Sequence, residues 1–111
     1  MSQYHTIYVL ESSAASGTIP FEAGSDADAI SRGKELARTY TASDGSIAET
    51  IPNAGDTYCV EWTLFRKSVH SHHHDDYEML GVERTAGADY VSDWALDIER
   101  MADGGINITD A

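Results

Sequence analysis

The strict alternation of side chains between Thr57 and Phe65 constrains the fold of this chain most. One alternating set of this segment is apolar and consists of Tyr58, Val60, Trp62 and Leu64. The other set contains Glu61 and Thr63. A period of two with one apolar side is typical of a strand that covers a core with one face and leaves the other face polar.

Further strands are predicted on both sides of this segment. Tyr4 to Leu10 is rich in aromatic and β-branched residues, and Thr18 to Glu22 is a short strand that Pro20 confines to a sheet edge. Tyr77 to Thr85 is the expected hairpin partner of the central strand, across a polar loop. Two shorter candidates are Ile47 to Ile51 and, at the end of the chain, Ile106 to Thr109.

A first helix is predicted to begin at Ser25. Asp28 follows three positions later, as in a capping box with a short acid, and carboxylates suit the positive end of a helix. Gly33 lies on the apolar face, where the lack of a side chain would let the helix lie close to a sheet. The turn residues around Asp44 and Gly45 end the element.

A second helix is predicted over Asp89 to Asp103. Its apolar stripe has a period near 3.6 and consists of Tyr90, Val91, Trp94, Ala95, Ile98, Met101 and Ala102. Gly104 and Gly105 would end it. The resulting order β-β-α-β-β-α, with an optional terminal strand, predicts an α+β fold: an antiparallel sheet of four to five strands with two helices packed on one face.

The expected core follows from these two stripes and the alternating strands. Its predicted members are Ile7, Val9, Phe21, Ile30, Leu36, Val60, Trp62, Trp94 and Ile98. Cys59 is expected to be a small residue of this core.

The charge of the chain limits the partners it can bind. Asp and Glu number 19 against 7 Lys and Arg, so the 111 residues, 1–111 taken as a single domain, carry a formal net charge of -12. Nucleic acid and anionic membranes would be repelled; a cation or a basic partner would compensate the charge, and a basic protein is the expected partner. Adaptation to high salt is an alternative explanation of the same acidity.

The compartment is predicted to be cytoplasmic. A lone Cys59 cannot form an internal disulfide, and no apolar run is long enough to span a bilayer. The first residues carry no basic n-region, so no signal peptide is expected.

An acidic column on the second predicted helix is the first candidate site. Asp89, Asp93 and Asp97 are spaced at i, i+4 and i+8 and would line up along one side of the helix. Leu96 would lie among them as an apolar anchor, and Asp103 would extend the acidic surface. Such a row of carboxylates could engage the Lys/Arg groove of a nucleic-acid-binding protein, although an ordinary solvated helix face has the same pattern.

A histidine tract is the alternative site. His70, His72 and His74 would point the same way on an extended segment, and imidazoles suit zinc, nickel or copper. We expect only weak metal binding, because structural zinc sites usually take their ligands from separated segments. No phosphate-binding glycine loop, nucleophile elbow or H-E-x-x-H is present, so neither enzymatic activity nor a cofactor is expected.

The segment from Gly17 to Ala37, GTIPFEAGSDADAISRGKELA, resembles the opening of many small acidic proteins of phages and mobile elements, a strand followed by a capped helix. In size and charge the chain is similar to anti-CRISPR and anti-restriction proteins. That resemblance implies an inhibitor that acts in a host cytoplasm as a decoy for nucleic acid.

The leading hypothesis is therefore an acidic protein-interaction module that occupies the basic nucleic-acid-binding surface of a partner. A metal-binding or metal-responsive protein that uses the histidine tract is the alternative. A third hypothesis is an accessory subunit of an enzyme, in which the acidity has no role.

Overall fold

An antiparallel sheet of five strands, with both helices packed on one face, forms the framework of the protein. The computed structural model describes residues 4–14, 18–70 and 88–111. The strand order is β2-β1-β3-β4-β5 and every neighbouring pair is antiparallel. The predicted α+β class and the antiparallel sheet are confirmed, and two helices pack on one face, although the second of them is not the helix that was predicted.

The elements follow one another in the order β-β-α-α-β-β-β. They are β1 (Tyr4–Ser12), β2 (Thr18–Phe21), α1 (Asp26–Ser43), α2 (Gly45–Ala48), β3 (Thr57–His70), β4 (Asp89–Arg100) and β5 (Ile106–Asp110). The predicted terminal strand is confirmed as β5. β3 continues beyond Phe65, into residues that were predicted to form a loop, because β1 pairs with it as far as His70.

The predicted helix over Asp89 to Asp103 is wrong. The segment is β4, which pairs with β3 on one side and with β5 on the other. Trp94 and Ile98 lie four residues apart and fit a helical stripe and an alternating strand equally well. Leu96, between them, is 2% exposed and belongs to the core, so the true period is two.

A β-bulge explains why the alternation was hard to see. The register of β3 and β4 shifts between Leu64 and Phe65, whose partners are Ser92 and Tyr90. Val91 is the additional residue. Because of it, odd-numbered residues of β4 face the helices before Val91, and even-numbered residues face them after it. The strand therefore has two alternating halves that are out of phase, which together imitate a helical stripe.

The connection between α1 and β3 also differs from expectation. The candidate strand around Ile47 to Ile51 is instead the short helix α2, whose first N–H groups are capped by Asp44: its Oδ1 accepts a hydrogen bond of 2.9 Å from the Ser46 backbone N–H. Ile47 and Ile51 are both buried in the core. The predicted strand over Tyr77 to Thr85 lies outside the described residues.

α1 begins as predicted. Ser25 is its N-cap and its Oγ accepts a hydrogen bond of 3.1 Å from the Asp28 backbone N–H. The residues buried against the sheet are small and spaced by four: Ala29, Gly33, Ala37 and Thr41. A Cβ atom at Gly33 would lie 3.1 Å from the indole of Trp94, so the glycine permits the close approach that the sequence predicted.

The core lies between the helices and the sheet. Val60, Trp62 and Ile98 are buried there as predicted, while Trp94 is only half-buried. Ile7 and Val9 are also completely buried, but they form a separate cluster. The alternation of β1 places them on the opposite face of the sheet from Tyr8 and Leu10.

Candidate protein-interaction surface

The two faces of the sheet have different compositions. Even-numbered residues of β3, such as Trp62, face the helices, and odd-numbered ones such as Glu61 face the other way. In β4 beyond the bulge, Leu96 faces the helices and Asp97 faces away. We call the side covered by α1 and α2 the helix face, and the opposite side the far face.

The far face carries an acidic cluster that three strands bring together. Its members are all exposed and are Glu11 on β1, Glu61 on β3 and Asp93, Asp97 and Glu99 on β4. Glu61 lies directly opposite Ala95, so Asp93 and Asp97 are its two diagonal neighbours, at about 7–8 Å between Cα atoms. Together with Thr63, part of this group lines a shallow depression of about 330 Å³.

The nearest neighbours of the acidic cluster are uncharged. Tyr90 is 60% exposed, and its pKa is raised by desolvation and by a hydrogen bond to Asp93. Cys59 is directly opposite Asp97 and is exposed, so its predicted place in the core is wrong. Desolvation, a hydrogen bond to Asp97 and the charges of Asp97 and Glu61 raise the pKa of the Cys59 thiol, which keeps it protonated and a poor nucleophile.

Cations are scarce on the far face. Within the described residues no member of the acidic cluster forms an ion pair. Lys67 belongs to the same face by its register with Ile7. It lies four positions along β3, about 13 Å, from Thr63, the residue opposite both Glu11 and Asp93.

On the helix side, in contrast, three carboxylates form ion pairs. Asp26, at the start of α1, accepts hydrogen bonds from the Tyr8 hydroxyl at 2.7 Å and from the Arg66 guanidinium at 2.5 Å. These two hydrogen bonds hold the pKa of Asp26 below its usual value. Arg66 also reaches Asp89 at 3.4 Å, and Arg38 pairs with Asp110 at 2.8 Å.

The predicted acidic column is therefore only partly present. Asp93 and Asp97 do lie on one surface, because residues four apart share a face in a strand as well as in a helix. The bulge at Val91 moves Asp89 to the helix face, where it pairs with Arg66.

Two other predicted contact residues lie outside the acidic cluster. Leu96 is buried and cannot be an exposed anchor. Asp103 lies in the turn between β4 and β5, where its carboxylate accepts a hydrogen bond of 2.9 Å from the Gly105 backbone N–H.

Sequence reasoning missed Glu11, Glu61 and Glu99. The signal for Glu61 was present, since the alternation of Thr57 to Phe65 already put it opposite the apolar set. Its proximity to Asp93 and Asp97 required the pairing of β3 with β4, which a misassigned helix concealed.

The predicted histidine tract lies mostly outside the described residues. His70 ends β3, opposite Tyr4, whereas His72 and His74 lie outside the described residues. Among the residues that the structure does describe, no group of three or more His, Cys, Asp or Glu could hold a metal ion. The histidine tract therefore stays a prediction.

Comparison with known proteins adds no relative. No protein-family model matches the chain, and neither a curated protein nor a solved structure shows a significant similarity to it. None of the helices in the described part of the chain is long and apolar enough to cross a membrane.

Proposed function

We propose that this protein is an acidic interaction module whose acidic cluster binds a basic surface of a partner protein. The observation that supports this most is the segregation of charge. Exposed carboxylates from β1, β3 and β4 converge on the far face without a described ion pair. The arginines and the lysine that the structure describes on the other side are Arg32, Lys34, Arg38, Arg66 and Arg100.

The arrangement suits recognition because its carboxylates are held in place before binding. They project from paired strands of one sheet, so little backbone freedom is lost when a partner docks. Carboxylates that have no ion pair among the described residues are also available to lysine and arginine side chains. The net charge of -12 would speed the encounter with a basic partner at low salt.

The partner we propose is a nucleic-acid-binding protein, for which this chain acts as an inhibitory decoy. A groove that binds nucleic acid is lined with Lys and Arg that neutralise closely spaced phosphates. A rigid surface with several carboxylates about 7–8 Å apart presents a comparable density of negative charge. Binding would then exclude nucleic acid by occupying the same cations.

Displacement of nucleic acid tests this function. The protein is titrated into complexes of basic nucleic-acid-binding proteins, CRISPR effectors and restriction enzymes among them, with fluorescently labelled nucleic acid. Release of the label from a subset of them is expected, with an affinity that falls as salt rises.

A matched pair of variants locates the surface. Glu61→Gln with Asp97→Asn removes two charges from the acidic cluster, and Glu35→Gln with Glu49→Gln removes two from the helix side. We expect the first variant to displace the label at least tenfold less well, and the second to resemble the unmodified protein. Equal losses of displacement in the two variants would show that displacement depends only on net charge, as adaptation to high salt would predict. Absence of displacement throughout the panel would contradict the decoy function.

A further inference from the structure

The outer edge of β5 presents backbone N–H groups that no described residue accepts. Ala111 donates its backbone N–H to the Ala95 carbonyl, so Ala111 and Ala95 form a hydrogen-bonded pair. Such pairs alternate with non-hydrogen-bonded ones along an antiparallel ladder. The next pair, Asp110 with Leu96, is therefore non-hydrogen-bonded, and the N–H and C=O of Asp110 point away from β4. The same alternation turns the backbone groups of Ile106 and Ile108 outward. No described residue accepts the outward N–H groups of Ile106, Ile108 or Asp110.

Arg38 of α1 closes this edge at one point. Its Nη1 donates to the outward carbonyl of Ile108 at 2.8 Å, and its Nη2 donates to the Asp110 carboxylate at 2.8 Å. Arg38 is 44% exposed and Asp110 is 82% exposed, so both bonds face solvent. A hydrogen bond in water of this kind is readily exchanged for another one.

The two edges of the sheet differ in how they are protected. β2 has only four residues and contains Pro20, which has no N–H to offer to an additional strand. β5 contains neither proline nor lysine, the residues that usually block an edge. The Arg38 side chain is the protection that the structure shows there.

The side chains beside the β5 edge specify what could pair with it. Asn107 and Thr109 lie on the far face, next to Glu99 and Asp97 of β4. An added strand would run about 4.8 Å beyond β5, so long basic side chains on that face could reach these carboxylates. On the helix face its neighbours would be Ile106 and Ile108, which are half-buried against the core.

We propose that β5 accepts an extended segment of the partner as an additional strand, in which basic residues alternate with apolar ones, and that Arg38 is a latch the segment displaces. The proposal rests on the proposed function for one premise, that the partner is basic. The backbone of the segment would bond to Ile106, Ile108 and Asp110, and its basic side chains would extend across Asn107 and Thr109 towards Asp97 and Glu99.

A pair of synthetic peptides tests the backbone pairing directly. The probe is a short peptide in which lysine alternates with valine, and its control has the same sequence with alternate backbone nitrogens methylated on one edge. The two peptides have the same charge, so purely electrostatic binding cannot tell them apart. We expect the probe to bind roughly tenfold or more tightly than the methylated control, and to slow amide exchange at Ile108 and Asp110.

Variants of the protein test the edge and the latch separately. Asp110→Pro and Asp110→Ala both remove the exposed carboxylate, but only proline removes the outward N–H. Asp110→Pro should bind the probe about twofold to tenfold more weakly than Asp110→Ala. Arg38→Ala should bind the probe more tightly than Arg32→Ala, which removes an equal charge from α1 away from the β5 edge.

The outcomes distinguish the edge from the acidic cluster. Equal binding of the two peptides, or equal effects within each pair of variants, would overturn strand addition at β5. The proposed function would survive such an outcome if the double variant Glu61→Gln with Asp97→Asn still lost the ability to displace nucleic acid. Absence of binding by the probe would also overturn the β5 proposal, whereas the displacement assay would stand on its own.

Discussion

The helix face and the far face of the sheet hold their carboxylates in opposite ways. On the helix face, Asp26 is fixed by Tyr8 and Arg66, and the resulting network ties β1 and β3 to the start of α1. On the far face, Asp93 and Asp97 have Tyr90 and Cys59 as their hydrogen-bonding neighbours. The first arrangement ties elements of the fold together, whereas the second leaves carboxylates without an ion pair among the described residues.

The same contrast holds for the cations. Arg100 lies on β4 between acidic residues in sequence, but its side chain points to the helix face. There it donates hydrogen bonds to the carbonyls of Ala48, Ile51 and Gly104 at 2.7, 2.8 and 2.7 Å. A charge that could have neutralised the acidic cluster instead fastens α2 and the β4–β5 turn to the sheet.

The sharpest test of the division between faces is a pair of substitutions at neighbouring positions of β4. Leu96→Ala should lower the free energy of unfolding by about 2–5 kcal/mol, because it removes a completely buried side chain from the core. Asp97→Ala, on the far face, should change it by less than about 0.5 kcal/mol. Chemical denaturation of both variants measures the difference, and similar losses would contradict the assignment of the two faces.

Arg100 should show the second largest effect. Arg100→Met retains much of the aliphatic side chain but leaves three carbonyls without their donor, so we expect a loss of roughly 2–3 kcal/mol in the free energy of unfolding. Arg32→Met is the control, since the structure shows one exposed bond from Arg32, to the Glu22 carbonyl. A loss of stability at Arg100 no greater than that at Arg32 would show that the hydrogen bonds of Arg100 to the α2 region are not needed for stability.

Acidification should affect stability through Asp26. Its pKa is lowered in the folded protein from an ordinary value of 3.8 by the hydrogen bonds from Tyr8 and Arg66. Because this pKa is lowered, the stabilisation that Asp26 contributes is complete above the pKa of the unfolded chain. It is lost as the pH falls through the pKa of the folded protein. Asp26→Asn should therefore lower the melting temperature at neutral pH and reduce the further loss below pH 3.8.

Tyr8→Phe provides the matched control for Asp26. It keeps the buried ring and removes only the hydroxyl donor, so it should reproduce part of the effect of Asp26→Asn. Denaturation curves at a series of pH values measure both variants. If the stability of Asp26→Asn fell with pH as steeply as that of the unmodified protein, the role of this carboxylate would be contradicted.

The smallest expected effect has the opposite sign. Asp93→Asn with Asp97→Asn should raise the melting temperature by about 1–2 °C at low salt, because neighbouring negative charges that have no described ion pair are removed. The gain should disappear in high salt, where screening already weakens the repulsion. Asp89→Asn should give no such gain, since Asp89 pairs with Arg66; a gain as large as that of the double variant would contradict the distinction.

The local features of the chain were predictable from sequence wherever one strong signal was present. Ser25 and Asp28 predicted the start of α1, and Gly33 predicted its close contact with the sheet. The alternation from Thr57 to Phe65 predicted both the central strand and the side on which Glu61 lies. Each of these signals depends on contacts within one element, or on the pattern of a single face.

The candidate site was less predictable, because it is built from several strands. Asp93 and Asp97 were found because a spacing of four places residues on one side in both helix and strand. Asp89 and Leu96 were assigned wrongly because a helical period was used for a strand. That period accounts neither for the bulge at Val91 nor for the burial of Leu96. Only the pairing of β4 with both β3 and β5 shows which period is present.

By itself, the sequence determined the α+β class, the excess of negative charge, the capped first helix and the central strand. These follow from composition and from periodicities that a single segment carries. The tertiary structure alone decided that Asp89–Arg100 is a strand, since the hydrogen bonds that define β4 come from two other segments of the chain, β3 and β5. It also decided where the charge lies, because Glu11, Glu61 and Asp97 become neighbours only when three strands align in register.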